Sequence, residues 1–183
     1  MSDLEYDKLR AAAIHETGHA WLGSTIGLDL KKISMWKSFM AVAGEVTVDR
    51  SKTLGVFEDD FDMLALFYVG GQEAESIWLA SVYSLSIFEA RHITNASSRY
   101  DRRSFRELAH CAGVVRGTVE AQANAILKRH WPSIELLADR LEYKRTMTAA
   151  PVNAAVGSKN TDGSRRIKKV TPEMLVGARP GRH

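Results

Sequence analysis

Residues 11–23 read AAAIHETGHAWLG, and how they are read decides the fold. Small and apolar residues run through the stretch without a proline, which predicts a helix. His15 and His19 stand four positions apart, so on a helix both imidazoles leave the same face and can point at one metal ion. Glu16, offset by one position, can reach a water on that metal, where a carboxylate serves as general base. With six His and 12 Glu in 183 residues, chance alone produces His-Glu-x-x-His in roughly one chain in a hundred. Ala11, Ala12, Ala13, Gly18 and Ala20 flank the motif and leave room beside the backbone. The pattern implies zinc held by His15 and His19 with Glu16 as base, the chemistry of a zinc peptidase.

Catalytic zinc takes three protein ligands and keeps one open position. One common solution puts a glycine three residues, and a third histidine six residues, past the second histidine; here those positions hold Leu22 and Thr25. Another uses a glutamate about two dozen residues downstream on a second helix. Glu45 is nearest to that offset, and it falls in a strand-like run. The third ligand must come from further along, and these two tests leave it open.

Read outward from the motif, the chain predicts a mainly helical domain over residues 1–145. The first helix covers about residues 4–27, with Gly27 as its stop. Residues 28–50 contain KKISMWKSF and the alternating AVAGEVTVD, which predict a small β-hairpin or meander. Residues 52–62 are acidic (Glu58, Asp59, Asp60) and read as a loop into a helix start. A helix over residues 61–79 follows, with Gly70 and Gly71 inside it. Glycine there costs about 1 kcal/mol relative to alanine, so the pair predicts very close packing, most naturally against the first helix. Residues 81–98 read as a helix end and a loop, residues 100–130 as helical, and residues 132–144 as a last helix with Pro132 in its first turn. The four tryptophans, Trp21, Trp36, Trp78 and Trp131, are expected in the core, with Trp21 also close enough to the histidines to line a cleft. His92, His110 and His130 lack an i+4 partner and read as ordinary surface or core groups.

The apolar fraction is 45 % and the charged fraction 26 %, ordinary for a globular protein. A single cysteine, Cys111, excludes an internal disulfide. No signal-like segment and no run of 18 apolar residues occurs, so the expectation is a cytoplasmic protein without a membrane segment. Residues 146–183 are rich in Ala, Gly, Ser and Asn and are expected to form a flexible basic tail. From residue 144 onward nine Lys or Arg face two acidic residues, so residues 1–143 are net −4 although the whole chain is +3. The tail cluster Arg165, Arg166, Lys168 and Lys169 has no aromatic residue to stack on bases, which argues against a nucleic-acid partner.

AIHETGHAWLG resembles the start of the peptidase domain of the FtsH-type, AAA-associated zinc metalloproteases, whose helix typically reads Tyr-His-Glu-Ala-Gly-His-Ala. Residues 69–76, VGGQEAES, are similar to that family's Gly-Gly-Arg-x-Ala-Glu-Glu helix. The family continues with Thr-Gly-Ala-Ser, an Asp, and Leu-Ala seven and eight residues beyond it. Here TNAS occupies residues 94–97, followed by Asp101, Leu108 and Ala109 at the same offsets from the Asp. The resemblance covers about residues 9–143 and implies a compact helical zinc-metallopeptidase fold. It also implies that Asp101 is the third zinc ligand beside His15 and His19, with Glu75 the reserve. Two extra residues separate TNAS from Asp101, and Arg102 stands where the family has an aliphatic side chain.

What the resemblance implies is a metalloendopeptidase that hydrolyses unfolded proteins or peptides. Family members work in hexamers and carry an ATPase module; these 183 residues contain no G-x-x-x-x-G-K-[ST] loop. The expectation is therefore action on already unfolded chains, or with a separate ATPase or a homo-oligomer as partner. The competing expectation is a zinc-holding regulatory or binding domain of the same fold without turnover.

Overall fold

The computed structural model describes residues 6–37, 41–49 and 61–157. Its elements in chain order are α1 (Lys8–Thr25), β1 (Leu30–Lys37), β2 (Val42–Val48), α2 (Phe61–Tyr83) and α3 (Ile87–Ile93). There follow α4 (Arg99–Ala112), α5 (Arg116–Arg129), α6 (Trp131–Lys144), β3 (Thr146–Thr148) and α7 (Ala150–Val156). The fold is mainly helical with one small antiparallel sheet of order β2-β1-β3.

Helix α1 is the axis of the molecule. Asp7 caps it, accepting from the backbone N–H groups of Leu9 and Arg10 at 2.9 and 3.1 Å. Every residue from 13 to 24 is buried, which no one-sided amphipathic helix achieves. Neighbours surround it: α2, α6, α7, β1 and β2 all pack on it. The small residues around the motif make the closest crossing possible. A Cβ on Gly18 would lie 2.5 Å from both Ala74 Cβ and Gly70 O, so α1 and α2 touch backbone to backbone. The glycine pair thus has the role its position predicted.

The sheet packs on α1, with Leu30 of β1 against Gly23 and Gly44 of β2 against Glu16. β1 turns Ile33 and Met35 into the core and leaves Lys32 and Trp36 outside. Trp36, half exposed, is therefore not a core residue, because the strand's period of two assigns it to the outer face. Trp21 is 2 % exposed and packs against the His130 ring at a centroid distance of 5.2 Å, so it is a core residue.

Three stretches differ from the sequence expectation. Residues 81–98 contain a further helix, α3, nucleated by a reciprocal capping box between Ser86 and Glu89. The long helical pattern of residues 100–130 is two helices, divided at Gly113 with φ 67°, a left-handed C-terminal stop. The expected tail does not start at residue 146. β3 pairs with β1 (Ile33↔Met147) and α7 packs on α1, with Met147 and Val152 buried. A three-residue strand and a two-turn Ala-rich helix are too short to carry a periodic apolar stripe, which is why composition alone reads them as tail. The acidic stretch at residues 58–60 and the basic cluster at residues 165–169 lie outside the described residues. Among the described residues no helix is long and apolar enough to cross a membrane.

Candidate metal centre

Helical spacing sets the first half of the site. His15 and His19, one turn apart on α1, bring their Nε2 atoms within 3.1 Å of each other. Asp101, in the first turn of α4, completes a triangle: its Oδ2 is 3.1 Å from His15 Nε2 and 3.2 Å from His19 Nε2. These three residues form a group that can hold a metal ion.

The far side of each imidazole decides what the near side can do. His15 Nδ1 faces Glu75 Oε2 at 2.9 Å, and His19 Nδ1 faces the Phe67 carbonyl at 2.7 Å. Both partners are acceptors, so in the neutral rings both Nδ1 atoms carry the proton and both Nε2 atoms present lone pairs. Two lone-pair nitrogens and a carboxylate oxygen then converge on one point. Such a donor set repels itself unless a proton or a metal cation lies between its members, and the residues present fit a metal. Asp101 is the most exposed of the three, 25 % against 9 % and 6 % for the two imidazoles, so solvent reaches the group on the Asp101 side.

The charges lean the same way. Burial opposes a positive His15, yet hydrogen bonds to Asp101 and Glu75 outweigh it and hold His15 well above its ordinary value. Burial likewise opposes an ionised Asp101, but the two imidazoles draw it far below the usual carboxylate range. Glu16 is raised, mainly by burial, against the pull of His15 and His19.

Glycines shape the cradle. A Cβ on Gly71 would come within 2.4 Å of the Nε2 atoms of both His15 and His19, so the imidazoles lie directly on the α2 backbone. A Cβ on Gly44 of β2 would come within 2.6 Å of the Glu16 carboxyl. The turn leading to Asp101 is tied to α2 as well. Gln72 Nε2 donates to Arg91 O at 3.1 Å and to Asn95 Oδ1 at 3.0 Å, and Ser76 shares a hydrogen bond with Thr94 at 3.0 Å. Arg102 also donates to Asn95. The Arg102 side chain thus helps hold the turn.

A scan of protein-family models and a search of curated proteins both return no match to this chain.

His15, His19 and Asp101 lie together, Glu16 is the next residue after His15, and Glu75 lies beside them in a different position. It lies behind His15 on the Nδ1 side, where Ser97 Oγ donates to its Oε2 at 2.8 Å and the Tyr6 hydroxyl to its Oε1 at 3.4 Å. Burial and the Glu75 charge push Tyr6 up to about 12. Ser97, Tyr6, the Phe67 carbonyl and Gly44 were not foreseen. Only Gly44 had a signal of its own, a glycine inside a strand pattern. His92 and His110 are exposed and outside the group.

Proposed function

We propose that this chain is a zinc-dependent metalloendopeptidase that hydrolyses peptide bonds in unfolded proteins or peptides. One observation carries the reading: a donor triangle of two imidazoles and one carboxylate, with a buried glutamate on the residue next to His15. Zinc with ligands at 2.0–2.1 Å in a tetrahedron has ligand–ligand edges of about 3.3 Å. The observed edges of 3.1, 3.1 and 3.2 Å suit that size. Three ligands leave the fourth position for water, the arrangement of catalytic rather than structural zinc.

When bound, zinc supplies a Lewis acid that makes its water a nucleophile near neutral pH and polarises the scissile carbonyl. His15, His19 and Asp101 would hold it, and Glu75 and the Phe67 carbonyl orient the two rings. Glu16 takes a proton from the attacking water as the oxygen bonds to the carbonyl carbon. It returns that proton to the amine nitrogen as the C–N bond breaks. Burial raises Glu16 toward the range where it can both accept and release a proton.

An extended substrate has a natural track. The order β2-β1-β3 leaves one edge of β2 without a partner among the described residues, and β2 passes beside Glu16. The resemblance to FtsH-type peptidase domains favours the same chemistry, and with it a separate ATPase or a homo-oligomer as partner for folded substrates. The lone cysteine suits a cytoplasmic setting.

The test is Glu16→Gln assayed on casein and on an unfolded peptide, with zinc content measured on the same samples. The expected result is loss of cleavage with zinc retained; undiminished cleavage by Glu16→Gln overturns the mechanism. Zinc bound by the wild-type protein with no cleavage of any unfolded substrate would favour the non-catalytic zinc-holding domain instead.

A further inference from the structure

The residues at the metal centre are fixed in two different ways. His15, His19 and Glu75 are each held by a directed polar contact, at 2.9, 2.7 and 2.8 Å respectively. Among the described residues, no hydrogen bond or ion pair holds the Glu16 carboxyl. Its side chain has three rotatable torsions, and directed contacts from the described residues do not fix its position.

Packing determines it instead. Gly44 pairs with Met35 across the β1–β2 ladder, and Met35 points into the core, so position 44 faces the interior too. What lies in front of it is Glu16. A Cβ built on Gly44 would stand 2.3 Å from Glu16 Cγ and 2.6 Å from both Cδ and Oε1. The carboxyl therefore occupies the space a side chain at position 44 would fill. We propose that Gly44 is a positioning residue: by presenting bare backbone it lets the Glu16 carboxyl lie flat on β2, and so the strand decides where the base stands. The inference rests on Glu16 acting as general base, and it names the element that aims it.

Two consequences separate this role from an ordinary structural glycine. The atoms in the way run from Cγ to the carboxyl of one side chain and none is backbone, so Gly44→Ala should fold, with Glu16 giving way rather than the strand. A misplacement of about 1 Å in a catalytic group can cost on the order of 100-fold in rate. The loss should fall on kcat, because neither the zinc ligands nor the outer edge of β2 is altered.

The experiment pairs Gly44→Ala with Glu16→Ala. On the zinc-loaded protein, Gly44→Ala is expected to lower kcat more than tenfold, with KM and zinc content within twofold of wild type. On the metal-free protein, denaturant midpoints are compared for wild type, each single variant and the double variant. Gly44→Ala should lower the midpoint of wild type but not that of Glu16→Ala, where the space is already free. Wild-type kcat in Gly44→Ala overturns the proposal, as does an equal midpoint loss in both backgrounds. If the wild-type protein cleaves nothing, the peptidase reading fails on its own. The midpoint comparison then still decides whether Gly44 seats Glu16.

Discussion

Glu73 and Glu75 stand two residues apart on α2, each about 1 % exposed, and their surroundings are opposite in kind. Glu73 receives a bidentate grip from Arg91, Nε to Oε1 at 2.7 Å and Nη2 to Oε2 at 2.8 Å, plus Asn124 at 3.2 Å. Arg91 also faces Glu120 at 3.7 Å, and Arg116 Nε donates to Glu120 at 2.5 Å. Two carboxylates and two guanidiniums complete each other there. Glu75 stands with Glu16 and Asp101 around two imidazoles, and among the described residues no Lys or Arg forms an ion pair with any of the three. One buried cluster is neutral as folded; the other asks for a cation. A buried charge is tolerated when paired and costly when not, and that contrast distinguishes a structural network from a binding site on a single helix.

The contrast can be broken most severely at Gly71. Gly71→Ala puts a methyl group against both Nε2 atoms, so the imidazoles must part. Zinc content after gel filtration should fall from one per chain to near none, with helical circular dichroism retained and stability lower by about 1–3 kcal/mol. Retained stoichiometric zinc in that variant would mean the imidazoles do not rest on α2.

The two glutamates should then fail differently. Glu75→Gln leaves an acceptor on His15 but removes the charge, and zinc affinity by competition with a chelating dye should weaken about 10- to 100-fold with stability little changed. Glu73→Ala strands a partly exposed Arg91 and should cost about 2 kcal/mol in denaturant unfolding, with zinc affinity unchanged. Exchanged outcomes, or both effects in both variants, would dissolve the distinction.

A smaller effect follows from protons competing with the metal. His15 is held above its ordinary value of 6.5 in the metal-free fold, and a protonated imidazole cannot bind metal. Zinc affinity should therefore be full on the alkaline side of that raised value and fall as pH drops through it. The decline sets in above pH 6.5, at about tenfold per pH unit for each competing proton. A flat profile from pH 8 to 6, measured by the same competition, would contradict this reading of His15.

Much of the centre was legible because its code is local. The i, i+4 spacing of His15 and His19 and the Gly70–Gly71 pair are properties of a helix face, and a helix face can be read from sequence. Asp101 lies 86 residues beyond His15, beyond the reach of any spacing rule, and it entered only as what the resemblance to FtsH-type peptidase domains implies. Glu75 was read as a spare ligand because sequence reports a carboxylate near the site but not which ring nitrogen it faces. Helix α3 had a visible signal, the Ser86–Glu89 capping spacing, in a stretch where apolar periodicity was too short to register. β3 and α7 had none: Met147 and Val152 are buried by long-range pairing with β1 and packing on α1.

The most direct test of the central claim, that His15, His19 and Asp101 form a metal centre, is a zinc titration of the purified full chain beside Asp101→Ala. The account predicts one zinc bound tightly per wild-type chain and no stoichiometric zinc in the variant, with the fold of both intact. Wild-type protein that takes up no zinc, or an Asp101→Ala variant that binds it equally well, would contradict the account.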